Sequence, residues 1–106
     1  MALVSVQKDK VLREVYRNYL QFREYVRTTG SHIIEYNGLR ISFHDLHRGL
    51  NDLSPRKRQA FYLNVIEDLK QREVAEIMGI TTVSVGQYVQ QAMVQLADQY
   101  FEGDDE

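Results

Sequence analysis

The segment from Thr81 to Gln91 carries amide, hydroxyl and small apolar side chains and no charged residue. Its residues suited to contacts with bases are Thr82, Val83, Ser84, Gly86, Gln87, Gln90 and Gln91. A glutamine amide can bond adenine through a donor and an acceptor at once, and threonine and valine methyl groups can pack on the thymine methyl. A glycine allows close approach to a ligand. The segment therefore predicts uncharged reading of base edges in the major groove of double-stranded DNA.

Positive charge that could hold DNA phosphates lies before this segment. The candidates for phosphate contacts are Arg56, Lys57, Arg58, Lys70 and Arg72, together with the neutral Thr81 at a helix start. Phosphate contacts position a protein on DNA, whereas base contacts specify the sequence. We expect roughly three to five phosphate contacts and hence a modest affinity, which a homodimer would raise by doubling the contacts.

The charge of the chain is divided between its two ends. Residues 1–72 contain all 13 basic residues and 8 acidic ones, whereas residues 73–106 contain 7 acidic residues and none that is basic. This asymmetry indicates one face for an anionic partner and another that repels it. The alternative interpretation is a solvated acidic tail, because the final "EGDDE" holds four of those seven charges.

Two helices joined by a tight turn are predicted to position the base-reading segment. The first has an apolar face made of Val74, Ala75, Ile77 and Met78 and is expected to end at Gly79, where a turn needs positive φ. Ile80 is expected to be buried in the turn, and the Thr81 hydroxyl to cap the second helix. The inward stripe of the second helix is predicted to be Val85, Val89, Ala92, Met93, Leu96 and Tyr100. This is the layout of a helix-turn-helix motif.

Residues 53–97 resemble region 4 of bacterial sigma factors and related phage and regulator helix-turn-helix domains. The resemblance rests on "LSPRKRQAF", "REVAEIMGIT", Ser84-Val85 and "QQAMVQL". It implies binding to the promoter −35 element and contact with RNA polymerase, especially the β-flap. The chain departs from the family pattern at Lys70, where a capping Ser or Thr is usual, and in lacking the charged residues of the second helix. We find no match to the sigma region that binds the −10 element, so a complete sigma factor is not expected. The small size favours a phage or mobile-element regulator.

The N-terminal half is predicted to form a long amphipathic helix and a small β-hairpin. Apolar residues at steps of three and four, Leu12, Val15, Tyr19, Phe22 and Val26, predict a helix over residues 8–28 that ends near Gly30. Strands over residues 32–36 and 39–42 flank Asn37-Gly38, a pair typical of type I′ turns. An irregular loop is the alternative interpretation.

Two further helix starts follow the hairpin. Ser42 with Asp45 resembles a capping box, with Ile41 and Leu46 as its hydrophobic staple, and this short helix is expected to end near Leu50. Ser54-Pro55 predicts an N-cap followed by proline at the first helical position. We therefore predict a mainly α fold, a helix-turn-helix domain of sigma region 4 type preceded by the long helix and hairpin. The expected organisation is 1–52 for the N-terminal elements, 53–101 for the helix-turn-helix domain and 102–106 for the acidic tail.

Several classes of function are disfavoured by composition. The chain has no cysteine, no apolar run of the roughly 18 residues that a membrane span needs, and no signal-peptide pattern. We expect a cytoplasmic, nucleoid-associated protein that does not contact membranes. His32, His44 and His47 are interpreted as surface or partly buried side chains rather than metal ligands. No enzymatic activity and no cofactor are expected.

Two hypotheses about function stay open. The first is a DNA-binding transcription regulator that reads the major groove with residues 81–91. The second is a sigma-like protein-interaction module that docks on RNA polymerase or another regulator without reading DNA, which exposed Val83 and Val94 would favour. The N-terminal apolar stripe likewise has two interpretations, packing within the chain or the seam of a homodimer.

Overall fold

The computed structural model describes residues 5–100, with side chains from Asp9 onward. Its elements in chain order are α1 Ser5–Arg17, α2 Tyr19–Thr29, β1 Ile33–Tyr36, β2 Leu39–Ser42, α3 Phe43–Asp52, α4 Pro55–Phe61, the π-helical segment Tyr62–Ile66, α5 Gln71–Met78 and α6 Thr82–Tyr100. The mainly α fold with one small hairpin confirms the predicted class. The predicted acidic tail lies outside the described residues. None of the helices between residues 5 and 100 is both long and apolar enough to cross a bilayer.

The predicted long N-terminal helix is divided at Asn18 into α1 and α2. The Asn18 side-chain amide donates to the backbone oxygen of Glu14 at 2.9 Å and to the Tyr36 hydroxyl at 3.1 Å. Asparagine competes with the helix ladder through such local bonds, which explains the break. Helix α2 ends as predicted at Gly30, which has φ +76° and donates its N–H to Val26 at 2.8 Å.

The hairpin has the predicted turn. Asn37 and Gly38 have φ values of 50° and 79°, the positive pair that a type I′ turn requires. Ile34 lies opposite Ile41 in the antiparallel register, and both side chains are buried. An isolated hairpin is marginally stable in water, so burial of this face against the helices is what holds it.

Helix α3 links the hairpin to the C-terminal half. The Ser42 hydroxyl accepts from the Asp45 N–H at 3.4 Å, as the predicted cap requires. The Leu46 carbonyl accepts a hydrogen bond of 2.8 Å from the hydroxyl of Tyr16 on α1. Tyr16 is fully buried, although the apolar stripe predicted for this helix did not include it. Burial raises the pKa of the Tyr16 hydroxyl far above its ordinary value.

Helix α4 begins at Pro55 as predicted, but its cap is backbone only. The Ser54 side chain makes no capping hydrogen bond. The backbone carbonyl of Ser54 accepts a hydrogen bond from the Arg58 N–H at 2.9 Å. Within the π-helical segment, the Asn64 side-chain amide donates to the Leu69 carbonyl at 2.8 Å. This bond fixes the loop that leads into α5.

One hydrophobic core joins the two halves of the chain. Its buried residues come from every helix and from both strands, and α6 packs against α1, α3, α4 and α5. The N-terminal stripe of Leu12, Val15, Tyr19 and Phe22 is buried in this core, with Val26 partly buried beside it. The boundary at residue 52 stays a prediction.

Candidate nucleic-acid interface

The turn between α5 and α6 is built by glycine and threonine. Gly79 has φ +68° and ends α5, and the Ile80 N–H donates to the Ala75 carbonyl at 3.0 Å. The Thr81 hydroxyl accepts from the Ser84 N–H at 3.0 Å and donates to the Ser84 hydroxyl at 2.9 Å. The predicted cap is therefore confirmed, whereas Ile80 is half-buried rather than buried.

The core-facing side of α6 agrees with the predicted stripe. Val85, Val89, Ala92, Met93 and Leu96 are buried, and Tyr100 is half-buried. This packing turns the remaining faces of α6 toward solvent.

The predicted apolar face of α5 is wrong at one residue. Val74 and Ala75 are buried and Met78 is half-buried, but Ile77 is 57% exposed. At 3.6 residues per turn, Ile77 lies roughly 100° round from the centre of the buried face, on the flank of this short helix.

The outward face of α6 carries most of the predicted base-reading residues. Thr82, Gln87, Gln90 and Gln91 are exposed, and Val83 is the most exposed large apolar side chain in the described chain at 71%. Ser84 is half-buried, and its hydroxyl oxygen accepts a hydrogen bond from the Thr81 hydroxyl. Base reading by Ser84 and phosphate binding by Thr81 would therefore compete with the hydrogen bond between these two hydroxyls.

The space beside Gly86 is occupied by another side chain. Gly86 is half-buried, and a β-carbon built on it would lie 3.6 Å from Oε1 and 3.8 Å from Nε2 of Gln71. Gln71 is the first residue of α5 and is exposed. No role for Gln71 is predicted from the sequence. The only sequence feature that could have indicated a role for Gln71 is its position at the start of α5, the first helix of the motif. Its proximity to Gly86 could not be predicted, because the two residues are far apart along the chain.

The predicted phosphate-binding residues keep their positive charges unpaired. Arg56, Lys70 and Arg72 are exposed, whereas Lys57 and Arg58 are half-buried. None of the five forms an ion pair within the described part of the chain, where the ion pairs are Arg27 with Glu24 and Arg48 with Asp45. Their charges are therefore available to an anionic ligand.

The start of α5 is capped by a carboxylate rather than by a hydroxyl. The Lys70 N–H donates to the Glu73 carboxylate at 2.9 Å. A lysine side chain has no acceptor, so only this half of a capping box can form. The bond places a negative charge at the N-terminal end of α5, the end from which the Gln71 side chain reaches Gly86 of α6.

An apolar groove lies between α4 and α5. It has a volume of about 380 Å³ and is lined by Pro55, Arg58, Gln59, Tyr62, Leu63 and Ile77. The exposed Ile77 side chain is thus part of a concave apolar surface and is not an isolated apolar residue.

The histidines lie at the junction of hairpin and α3. The rings of His32 and His44 have centroids 3.9 Å apart, and Nδ1 of His47 lies 3.0 Å from the hydroxyl of Tyr19. Burial raises the pKa of the Tyr19 hydroxyl. Among the described side chains there is no group of three or more His, Cys, Asp or Glu residues arranged to hold a metal ion.

Comparison with protein-family models matches residues 43–96 to the family described as Sigma-70, region 4. This span covers just over half of the 106 residues. It begins at the start of α3, ahead of the residues 53–97 on which the sequence resemblance was recognised. No curated protein and no solved structure matches the chain.

Proposed function

The chain belongs to the sigma-70 region 4 family, and on that premise we propose that it is a transcription regulator that binds DNA through its helix-turn-helix motif. The family is a transcription domain without enzymatic activity. In this proposal residues 81–91 enter the major groove and read base edges. The protein would act at the nucleoid, in the cytoplasm.

The observation that carries the proposal is the uncharged, exposed face at the start of α6. Thr82, Val83 and Gln87 point away from the core, and none of them is held by another side chain in the described residues. Residues near the start of a recognition helix are the ones that meet base edges. Neutral amide groups can hydrogen-bond adenine, and methyl groups can pack on the thymine methyl, so these bases can be recognised without a charged side chain. The absence of Lys and Arg from α6 is therefore compatible with sequence reading.

Affinity in this proposal comes from the basic residues outside α6. Arg56, Lys70 and Arg72 are exposed and unpaired, so they are the strongest candidates for phosphate contacts. The half-buried Lys57 and Arg58 would contribute less. For three to five neutralised phosphates, the logarithm of the association constant should fall with the logarithm of salt with a slope of about −3 to −4.5.

The proposal is tested by fluorescence anisotropy of the full chain on DNA. Labelled duplexes of random sequence and duplexes enriched from a random pool are titrated across a salt series. We expect an enriched duplex to bind more tightly than random DNA, with a negative salt slope for both. A folded protein that binds neither duplex at low salt would overturn the proposal.

A second candidate function is docking on RNA polymerase. The groove beside Ile77 favours it, because a concave apolar surface on a small protein is typical of a binding site for a partner. In this hypothesis the partner inserts an apolar side chain between α4 and α5, and DNA is not read.

The groove variant Ile77→Asp separates the two functions. It should lower the affinity for purified core RNA polymerase, because a carboxylate in the apolar groove loses its water on binding. Val83→Asp is the matched control on the DNA-reading face and should impair DNA binding instead. Unchanged polymerase affinity in Ile77→Asp would contradict docking through the groove.

Formation of a homodimer is a separate prediction from the two candidate functions. Two copies would double the phosphate contacts and could read a site with two-fold symmetry. Because the N-terminal stripe is buried within the chain, a dimer would need another surface. Light scattering of the full chain, with and without DNA, would give the number of copies.

A further inference from the structure

The amide of Gln71 lies where α6 lacks a side chain. Its oxygen and nitrogen are 3.6 Å and 3.8 Å from the position that a β-carbon of Gly86 would take. The two distances are nearly equal, so the amide group lies against Gly86 instead of pointing away from it. Helix α5 thereby supplies an amide at a position of α6 that has no side chain of its own.

Gly86 is half-buried, so the flank of α6 beside this amide borders the proposed DNA-reading face. Residues four apart on a helix are neighbours on its surface, so Gly86 lies between Thr82 and Gln90. Both of these side chains are exposed. The Gln71 amide is therefore in line with residues that the proposed function places in the major groove.

The hydrogen-bonding groups of the Gln71 amide are unused. Gln71 is exposed, and its side chain makes no hydrogen bond to any residue that the structure describes. Its two donor hydrogens and its acceptor oxygen are open to a ligand.

We infer that Gln71 is a base-reading residue that recognises an adenine from its place beside Gly86. This inference rests on the proposed function, because it requires α6 to lie in the major groove. Glutamine bonds adenine by donating to N7 and accepting from the N6 amino group. The adenine edge thus satisfies both sides of the amide.

A phosphate would suit the same amide less well. Phosphate oxygens accept hydrogen bonds but donate none, so the amide oxygen would be left without a partner. The Glu73 carboxylate, bonded to the Lys70 N–H at 2.9 Å, also puts negative charge at this end of α5. The neighbouring Lys70 and Arg72 carry the positive charge that phosphates require.

The test begins with enrichment of preferred duplexes by the wild-type chain and by Gln71→Ala. Anisotropy then measures both proteins on the preferred duplex and on duplexes changed at each position. We expect the wild type to prefer one A·T pair by roughly 5- to 150-fold, and Gln71→Ala to lose that preference alone. Replacing this adenine by 7-deazaadenine, which lacks the N7 acceptor, should weaken the wild type and leave Gln71→Ala unchanged.

A second variant restores an amide at this place with a side chain on α6. Gly86 has no positive φ and the space around it allows a β-carbon, so Gln71→Ala combined with Gly86→Gln can be built without backbone strain. The double variant should regain part of the adenine preference. Circular dichroism melting confirms that both variants are folded.

Three results would overturn the inference. Retention of every base preference by Gln71→Ala would remove Gln71 from the reading residues while DNA binding stands. Equal weakening on all duplexes would place Gln71 on a phosphate. Failure of the folded wild type to bind any duplex would overturn the proposed function, and the inference with it.

Discussion

A β-carbon on Gly49 would lie 2.8 Å from Cδ2 of Leu96 and 3.1 Å from the Tyr16 hydroxyl. Gly49 is buried in the middle of α3, so the glycine is what lets α3 and α6 approach this closely. Leu96 is itself 1% exposed and cannot turn into solvent.

Gly49→Ala should therefore destabilise the protein in spite of the better helix propensity of alanine. Overpacking of a core costs about 1–3 kcal/mol. The gain from replacing a helical glycine is only about 0.5–1 kcal/mol. We expect the free energy of unfolding in urea to fall by up to about 2.5 kcal/mol.

Gly86→Ala is the matched control for this prediction. A β-carbon there meets only the Gln71 amide at 3.6 Å and 3.8 Å, which is ordinary van der Waals contact. The helix-propensity gain should then dominate and raise the free energy of unfolding by about 0.5–1 kcal/mol. If both variants were stabilised, Leu96 would have room to move that the packing does not indicate.

The buried Tyr16 hydroxyl should make stability depend on alkaline pH. Burial raises the pKa of Tyr16 in the folded protein above the 10.0 of a free tyrosine. The unfolded chain then loses this proton near pH 10 while the folded chain keeps it, so the folded state loses stability as pH rises above 10. Urea unfolding between pH 8 and 11 would measure the effect.

Tyr16→Phe should flatten this pH dependence and lower stability at neutral pH. The variant cannot donate to the Leu46 carbonyl, and a hydrogen bond of this kind contributes about 0.5–1.5 kcal/mol. Tyr25→Phe, which alters an exposed tyrosine, is the control and should change neither property. A pH dependence above 10 that persists in Tyr16→Phe would assign the effect to the partly buried Tyr19 instead.

Local features of the sequence predicted the local features of the fold. The Asn37-Gly38 turn and the ends of helices at Gly30 and Gly79 depend on the φ values of single residues, which residue type largely determines. The buried stripe of α6 follows from its periodicity alone. Predictions of this kind need no knowledge of the rest of the molecule.

Features that depend on tertiary contacts could not be predicted in this way. The break at Asn18 involves the Tyr36 hydroxyl on the hairpin, and the exposure of Ile77 depends on which flank of α5 the other helices cover. The Gln71 amide beside Gly86 joins two helices across the turn. Base-reading residues were therefore predicted on α6 alone, whereas the prediction for the facing helix α5 was limited to a phosphate contact by Arg72.

The double variant Arg56→Ala with Arg72→Ala should weaken binding to all DNA sequences alike. Both side chains are exposed and unpaired, so they can each neutralise one phosphate. Removing two such contacts should reduce the magnitude of the salt slope by about 2. Anisotropy on random and enriched duplexes measures both quantities.

Arg27→Ala is the control for this charge removal. Arg27 is paired with Glu24 on α2, which packs against α1 and α3, so its loss removes a positive charge outside the proposed interface. An equal loss of affinity in Arg27→Ala would show that general charge, rather than defined phosphate contacts, governs binding.

Gln87→Ala should relax the choice of base at one position and leave binding to random DNA unchanged. Gln87 is exposed on α6, next to Gly86, and carries no charge. A bidentate contact between glutamine and adenine contributes about 1–3 kcal/mol of discrimination, and random DNA offers that contact only by chance. Anisotropy on the enriched duplex and on its single-base variants gives the discrimination at each position.

Gln91→Ala serves as the comparison for Gln87→Ala. Gln91 is one turn further along α6 and is also exposed, so its loss should affect a different base position or none. Normal binding of the enriched duplex by Gln87→Ala would mean that α6 does not present this face to the bases, and the assignment of the recognition helix would be wrong.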